Sequence, residues 1–225
     1  MKLSSSLSLL TIFLIVSCSA QTQPVKSSEF NLYYDPIFSP WMGDMTVCAT
    51  SSGVTLRPHP NIEGDAGQGI NDIWVHYGED NSGDYSYQIG VDDIRIILNP
   101  QNPVGLMDPI QVQDVFSGRI SNWKAINGQD SPISVWVFPP GDVERIFEIS
   151  LLSGVSVSPL ANIATTPTDM LHAVATHVNS IGFITGRWLP AKITPNYSLT
   201  NVPVLLQAPH QPLGALREFI ACLQK

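Results

Sequence analysis

Positive charge is scarce in this chain. Asp, Glu, Lys and Arg together make up 13% of its 225 residues, with 11 basic side chains against 19 acidic ones and a formal charge of −8. A nucleic-acid backbone is held by clustered Lys and Arg, so this balance argues against a nucleic-acid partner. Long apolar runs are lacking too: Leu9–Val16 falls well short of the roughly 20 residues that span a bilayer, and no later run is longer. Catalytic signatures are thin, with no Gly-x-Ser-x-Gly, His-Glu-x-x-His or Cys-x-x-Cys. The chain is therefore not expected to be an enzyme. His172 and His177 lie five residues apart on one helical stretch, where their side chains diverge, so they are read as surface residues. No metal and no cofactor is expected.

Lys2 ahead of the Leu9–Val16 run has the layout of a secretion signal covering residues 1–17. Ile15-Val16-Ser17-Cys18 matches the bacterial lipobox, in which the cysteine is lipidated and becomes the new N-terminus. The alternative is an ordinary signal with an incidental cysteine. Residues 18–27 are polar and would serve as a tether, placing the protein outside the cytoplasmic membrane and touching it through the lipid alone. Cleavage removes Lys2 and no acid, leaving 10 basic and 19 acidic residues and a charge of −9. Of three cysteines, Cys48 and Cys222 remain, in a compartment where disulfides persist. They either pair, closing nearly the whole mature chain, or stay as two buried thiols.

Hydrophobic patterning predicts an α/β fold, because strand-like and helix-like segments alternate. Strands are expected at Phe30–Tyr34, Asp72–Tyr77, Tyr87–Val91 and Ile94–Asn99, with a helical stretch over Pro40–Ser51. Asp108-Pro109 can cap and start a helix with Ile110, Val112, Val115 and Phe116 on one side, ended by Gly118. Asn127-Gly128 makes a turn before a strand over Ile133–Phe138. A helix opens at Gly141-Asp142 with Val143, Ile146, Phe147 and Leu151 inward. Another starts at Thr166-Pro167, buries Met170, Leu171, Val174 and Val178, and ends near Asn179. Ile181–Ile184 follows as a strand, and an amphipathic helix with Leu213, Leu216, Ile220 and Leu223 closes the chain.

Within this frame, the run Asp114-Val115-Phe116-Ser117-Gly118-Arg119-Ile120-Ser121-Asn122-Trp123, set in the stretch Leu98–Val137, resembles the second lobe of the phosphate-binding proteins that serve ABC importers. Helix 166–179 leading into Ile181-Gly182-Phe183-Ile184 is similar to that family's later signature. The resemblance implies a two-lobed type II periplasmic-binding-protein fold with two hinge crossings. Residues 28–97 plus 188–225 would form the first lobe and 98–187 the second. Little sequence separates Gly53 from Asp72, so the first lobe is abbreviated, lacking a helix or a loop. By the same resemblance the protein would carry a small-molecule solute and present it to an ABC permease. The alternative from another class is a surface interaction or signalling module that keeps the fold without transport.

Open α/β sheets bind ligands beyond the carboxyl ends of their strands, and helix N-termini there hold anions. The relevant junction is Phe138-Pro139-Pro140-Gly141-Asp142-Val143-Glu144-Arg145. Phosphate binders of the family carry an arginine, two spacers and Gly-Ser-Gly-Thr at this point. Only the first glycine is kept, at Gly141: Phe138 stands for the arginine, Asp142 for the serine, Val143 for the second glycine and Glu144 for the threonine. Like charges a few ångströms apart repel by several kcal/mol at an effective dielectric of about 20, so phosphate is disfavoured. Arg145 either compensates or sits on the surface. In the other lobe, Ser39 is the hydroxyl near the expected helix start, and Asp72 opens a strand similar to the family's Asp-Ile-Ala element, unless it is a turn residue bonding its own backbone. The expected ligand contacts are thus Ser39, Asp72, Gly141, Asp142 and Arg145. With Tyr34, Trp136 and Phe138 nearby, they would suit a hydroxylated or cationic solute. Asp114, Arg119 and Trp123 are read as structural.

Overall fold

The computed structural model describes residues 28–60, 69–78, 85–190 and 195–225; the signal, the tether and the lipidation candidate Cys18 lie outside them. Strand β1 (Ser28–Tyr34) alternates, with Phe30, Leu32 and Tyr34 buried on one face. It ends at Asp35, whose carboxylate accepts the Ile37 N–H at 2.8 Å, and Pro36 is preorganised to open a 3₁₀ turn, Pro36–Trp41. That turn runs into helix α1 (Met42–Ser52), closed by Gly53 at φ 68°, a left-handed position that suits glycine. Next come β2 (Val54–Pro60), β3 (Asp72–Tyr77) and β4 (Tyr85–Leu98).

Helix α2 (Pro109–Phe116) starts in a capping box between Asp108 and Gln111, which satisfies two backbone donors reciprocally. Strand β5 (Ser134–Val137) leads to α3 (Asp142–Ser150), and β6 (Asn162–Ile163) leads to α4 (Pro167–Thr176). Strand β7 (Ser180–Thr185) is buried along its whole length, and β8 (Tyr197–Ala208) precedes the last helix, α5 (Ala215–Leu223).

Among the described residues these strands form one sheet in the order β2-β1-β3-β8-β4-β7-β5-β6. Strands β2, β1 and β3 are mutually parallel, as are β7, β5 and β6, while β8 and β4 pair antiparallel with their neighbours between the two groups. The register shows how the groups face each other. Tyr77, the end of β3, is level with Val204 and so with Gly90 of β4, whereas Thr185, the end of β7, is level with Ile94. The two groups therefore run head to head along β4, their carboxyl ends separated by roughly 13 Å at about 3.3 Å per residue. A bulge between Asp92 and Ile94 lies at the meeting point. Here Asp92 is buried yet satisfied, accepting from the Tyr77 hydroxyl at 2.9 Å and the Trp41 indole at 3.4 Å.

Each group has its own packing. Against the first, α1 lies on α5, and Cys48 is joined to Cys222 by a disulfide with a Cα separation of 5.6 Å. In the second, Phe147 stacks on Phe183 with centroids 4.0 Å apart, and Phe116 and Phe138 meet the pair edge-on. Trp123 is buried with its indole N–H on the Asn179 carbonyl, and Arg119 pairs with Asp114.

Several elements differ from expectation. Strands β2 and β8 were not anticipated, so the space between Gly53 and Asp72 holds a strand. The two strands expected over 87–99 are one, bent by the bulge. Helix α4 stops at Thr176, before Val178 and Asn179. In the closing helix Phe219 is buried with Leu216 and Ile220, while Leu213 precedes the helix and is exposed.

Candidate functional site

Where the two sets of carboxyl ends meet, a cavity of about 300 Å³ opens between the β1–α1 connection and the β5–α3 connection. Asp35, Pro36 and Ile37 line one wall, and Phe138 through Glu144 line the other, with Thr165 and Pro167 at the side. Each part of the lining begins just beyond the carboxyl end of a strand. Asp35 comes straight after β1, Phe138 straight after β5, and Thr165 shortly after β6.

Apolar side chains share the lining with three carboxylates, Asp35, Asp142 and Glu144, and with the Thr165 hydroxyl. Asp35 faces the second wall so closely that a Cβ on Gly141 would lie 4.0 Å from Asp35 Oδ2. Burial pushes the Asp35 carboxyl above its ordinary pKa; the Ile37 N–H opposes this, and the charge of Asp142 adds to it. Glu144 is raised as well, by burial first and then by neighbouring Glu148. Gly141 caps α3 with an extended backbone, and no side chain bonds the helix's leading amides. Phe138 is buried, edge-on to Phe183, and shows its remaining surface to the cavity.

Of the residues expected at the ligand, Gly141 and Asp142 line this cavity. Arg145 lies one turn behind the wall, its Nη2 donating to the Tyr77 carbonyl at 3.2 Å and reaching Asp142 Oδ1 at 3.5 Å. Ser39 and Asp72 are not brought to the cavity. The Ser39 hydroxyl donates to the Pro36 carbonyl at 2.7 Å, and Asp72, at the amino end of β3, accepts from Asn31 Nδ2 and the Gly69 N–H. Tyr34 is in the core, and Trp136 lines a separate shallow groove with Leu160 and His177. Asp35 lines the cavity without being among the expected contacts, although an Asp-Pro pair directly after a strand marks a helix start at a carboxyl end.

Among the described residues the cavity lining holds no cysteine, histidine or serine, and its hydroxyl, that of Thr165, donates to Asp169 at 2.8 Å. A Ser-x-x-Lys spacing does occur at Ser121 and Lys124, but Lys124 is exposed and held by Asp130 at 2.8 Å, without the burial that would free its amine as a base. Among the described residues no group of three His, Cys, Asp or Glu side chains is placed to hold a metal ion, and no helix is long and apolar enough to cross a membrane.

A family model described as a PBP superfamily domain matches residues 81–204, more than half of the chain. The chain belongs to the PBP superfamily. Solved structures agree on the fold. A protein of Clostridium perfringens assigned as a phosphate ABC transporter substrate-binding protein, solved with bound phosphate, is 18% identical at a TM-score of 0.75, covering 87% of this chain and 93% of that one. An ABC-type phosphate transport receptor from Vibrio cholerae is also 18% identical, with a TM-score of 0.65 and the same coverage. The reduced form of OxyR from N. meningitidis is 12% identical with a TM-score of 0.62, covering 88% of this chain and 94% of that one. The PBP chain thus has the type II periplasmic-binding-protein fold, and the curl that brings its two strand groups head to head is that fold's cleft.

Proposed function

We propose that this PBP-superfamily chain is an extracytoplasmic solute-binding lipoprotein whose solute sits between Asp35 and the Gly141–Glu144 wall. Residues 28–97 with 188–225, and residues 98–187, act as two lobes that close over it and present it to an ABC permease. A lipid on Cys18 tethers the protein to a bacterial membrane. The solute is hydroxylated or cationic, not phosphate. The observation that carries this reading is the acidic lining, since Asp35, Asp142 and Glu144 meet at a cavity where phosphate binders of this fold class offer neutral donors and an arginine.

A thermal-shift screen with phosphate, sulfate, sugars and cationic metabolites tests it. A ligand at a hundred times its dissociation constant adds about 2.7 kcal/mol, which raises the melting temperature of a domain this size by roughly 5–10 °C. Sugars or cations should do so and phosphate should not. Micromolar phosphate binding would overturn the acidic-site reading. Silence across all classes would favour a second reading, an interaction module that keeps the fold without transport, for which the single hydroxyl side chain among the described lining residues, Thr165, speaks.

A further inference from the structure

We propose that Arg145 and Gly78 form a latch that holds the cleft closed without any ligand, a step beyond the solute-binding reading that relies only on the two strand groups being able to part. The gap between the carboxyl ends of β3 and β7 is bridged from α3. Arg145 Nη2 donates to the Tyr77 carbonyl at 3.2 Å, although the two residues are 68 positions apart in sequence. A guanidinium bond to a carbonyl is charge-assisted and shifts a two-state equilibrium about tenfold.

The acceptor is fixed in place. Tyr77 is buried, its ring stacks on Phe38 at 4.3 Å, and its hydroxyl donates to Asp92 at the β4 bulge. Gly78 follows, with its N–H on the Pro203 carbonyl at 3.1 Å. Its φ of 100° lies in the region that favours glycine, and a Cβ there would sit 2.7 Å from Ile146 Cδ1 and 3.3 Å from Arg145 Nη2. Polar and steric contacts therefore coincide: the residue that lets α3 approach β3 sits beside the carbonyl that Arg145 grips. Asp142 Oδ1 lies 3.5 Å from the same Nη2, so the guanidinium is held from its own helix while it grips the Tyr77 carbonyl. The latch thus has two seats, one across the gap and one on the lining of the cavity.

Fluorophores attached through unnatural residues at exposed Thr50 on α1 and His172 on α4 would report the separation of the two groups in the disulfide-intact protein, with no ligand added. Wild type should show a single short-distance population. Arg145→Met should move it to longer distances by about tenfold in population ratio, and Arg145→Lys should restore part of the closed state. An open wild type in ligand-free buffer overturns the latch whatever the variants do. So does an Arg145→Met distribution identical to wild type, or an open Arg145→Met state that lysine leaves unrescued. Because no ligand enters the experiment, its failure leaves the solute reading standing.

Discussion

The two strand groups on either side of the cleft solve the same packing problem with different means. The first is drawn from both ends of the chain, β1–β3 with the start of β4 and then β8 with α5, and a disulfide joins residues 174 positions apart. The second comes from one continuous stretch between β4 and β7, contains no cysteine and is packed around the cluster of Phe116, Phe138, Phe147 and Phe183. Bringing distant segments together carries a larger loop-closure cost than folding a continuous one. A covalent tie therefore sits where chain connectivity helps least, and aromatic packing suffices where it helps most.

This contrast can be broken in order of expected effect. Replacing both Cys48 and Cys222 by serine should lower unfolding free energy by up to about 5 kcal/mol in the chain-entropy limit, read from the urea midpoint. Amide exchange should then rise in β1, β3 and β8 more than in β5 and β7; equal loosening would erase the distinction. Phe147→Ala, at a site with no solvent exposure, should cost about 3–4 kcal/mol, and its exchange footprint should be the reverse. The smallest effect concerns the boundary between the groups. The folded-state pKa of Asp35 lies above its unfolded value, so its contribution is intact in acid below the unfolded value and is lost as pH rises through the folded one. Asp35→Asn keeps an oxygen for the Ile37 N–H, and should melt above wild type at pH 7 with no advantage near pH 3. Asp142→Asn should bring the Asp35 titration down, and a titration left unmoved would mean that the two walls do not sense each other.

Local chemistry was legible in the sequence wherever one residue type decides a conformation. The Asp108 cap, the left-handed Gly118 and Asn127, and the Thr166-Pro167 helix start all stand as their side chains predict. Strand β2 was hidden because Pro58 and Pro60 interrupt it, and only an edge position, where one side needs no ladder partner, tolerates them. The unbroken course of β4 was hidden by Asp92-Asp93, a charged pair that reads as a turn until Tyr77 and Trp41 supply donors to the buried carboxylate. At the site, Gly141 and Asp142, expected from a motif with a fixed place on a helix start, line the cavity. Asp72 and Asp35 each adjoin a strand, but they sit at opposite ends of parallel neighbours, and only Asp35 lines the cavity. Which end faces the cleft follows from strand order and register, which no local pattern carries.

The prolines of β2 have a further consequence at the margins of the sheet. One margin is β2, where Pro58 and Pro60 remove donors from the outer row, and the other is β6, two residues long. A neighbouring molecule seeking to extend the ladder finds interrupted donors on one flank and almost no length on the other. Copies at high local concentration thus collide without zipping into fibrils.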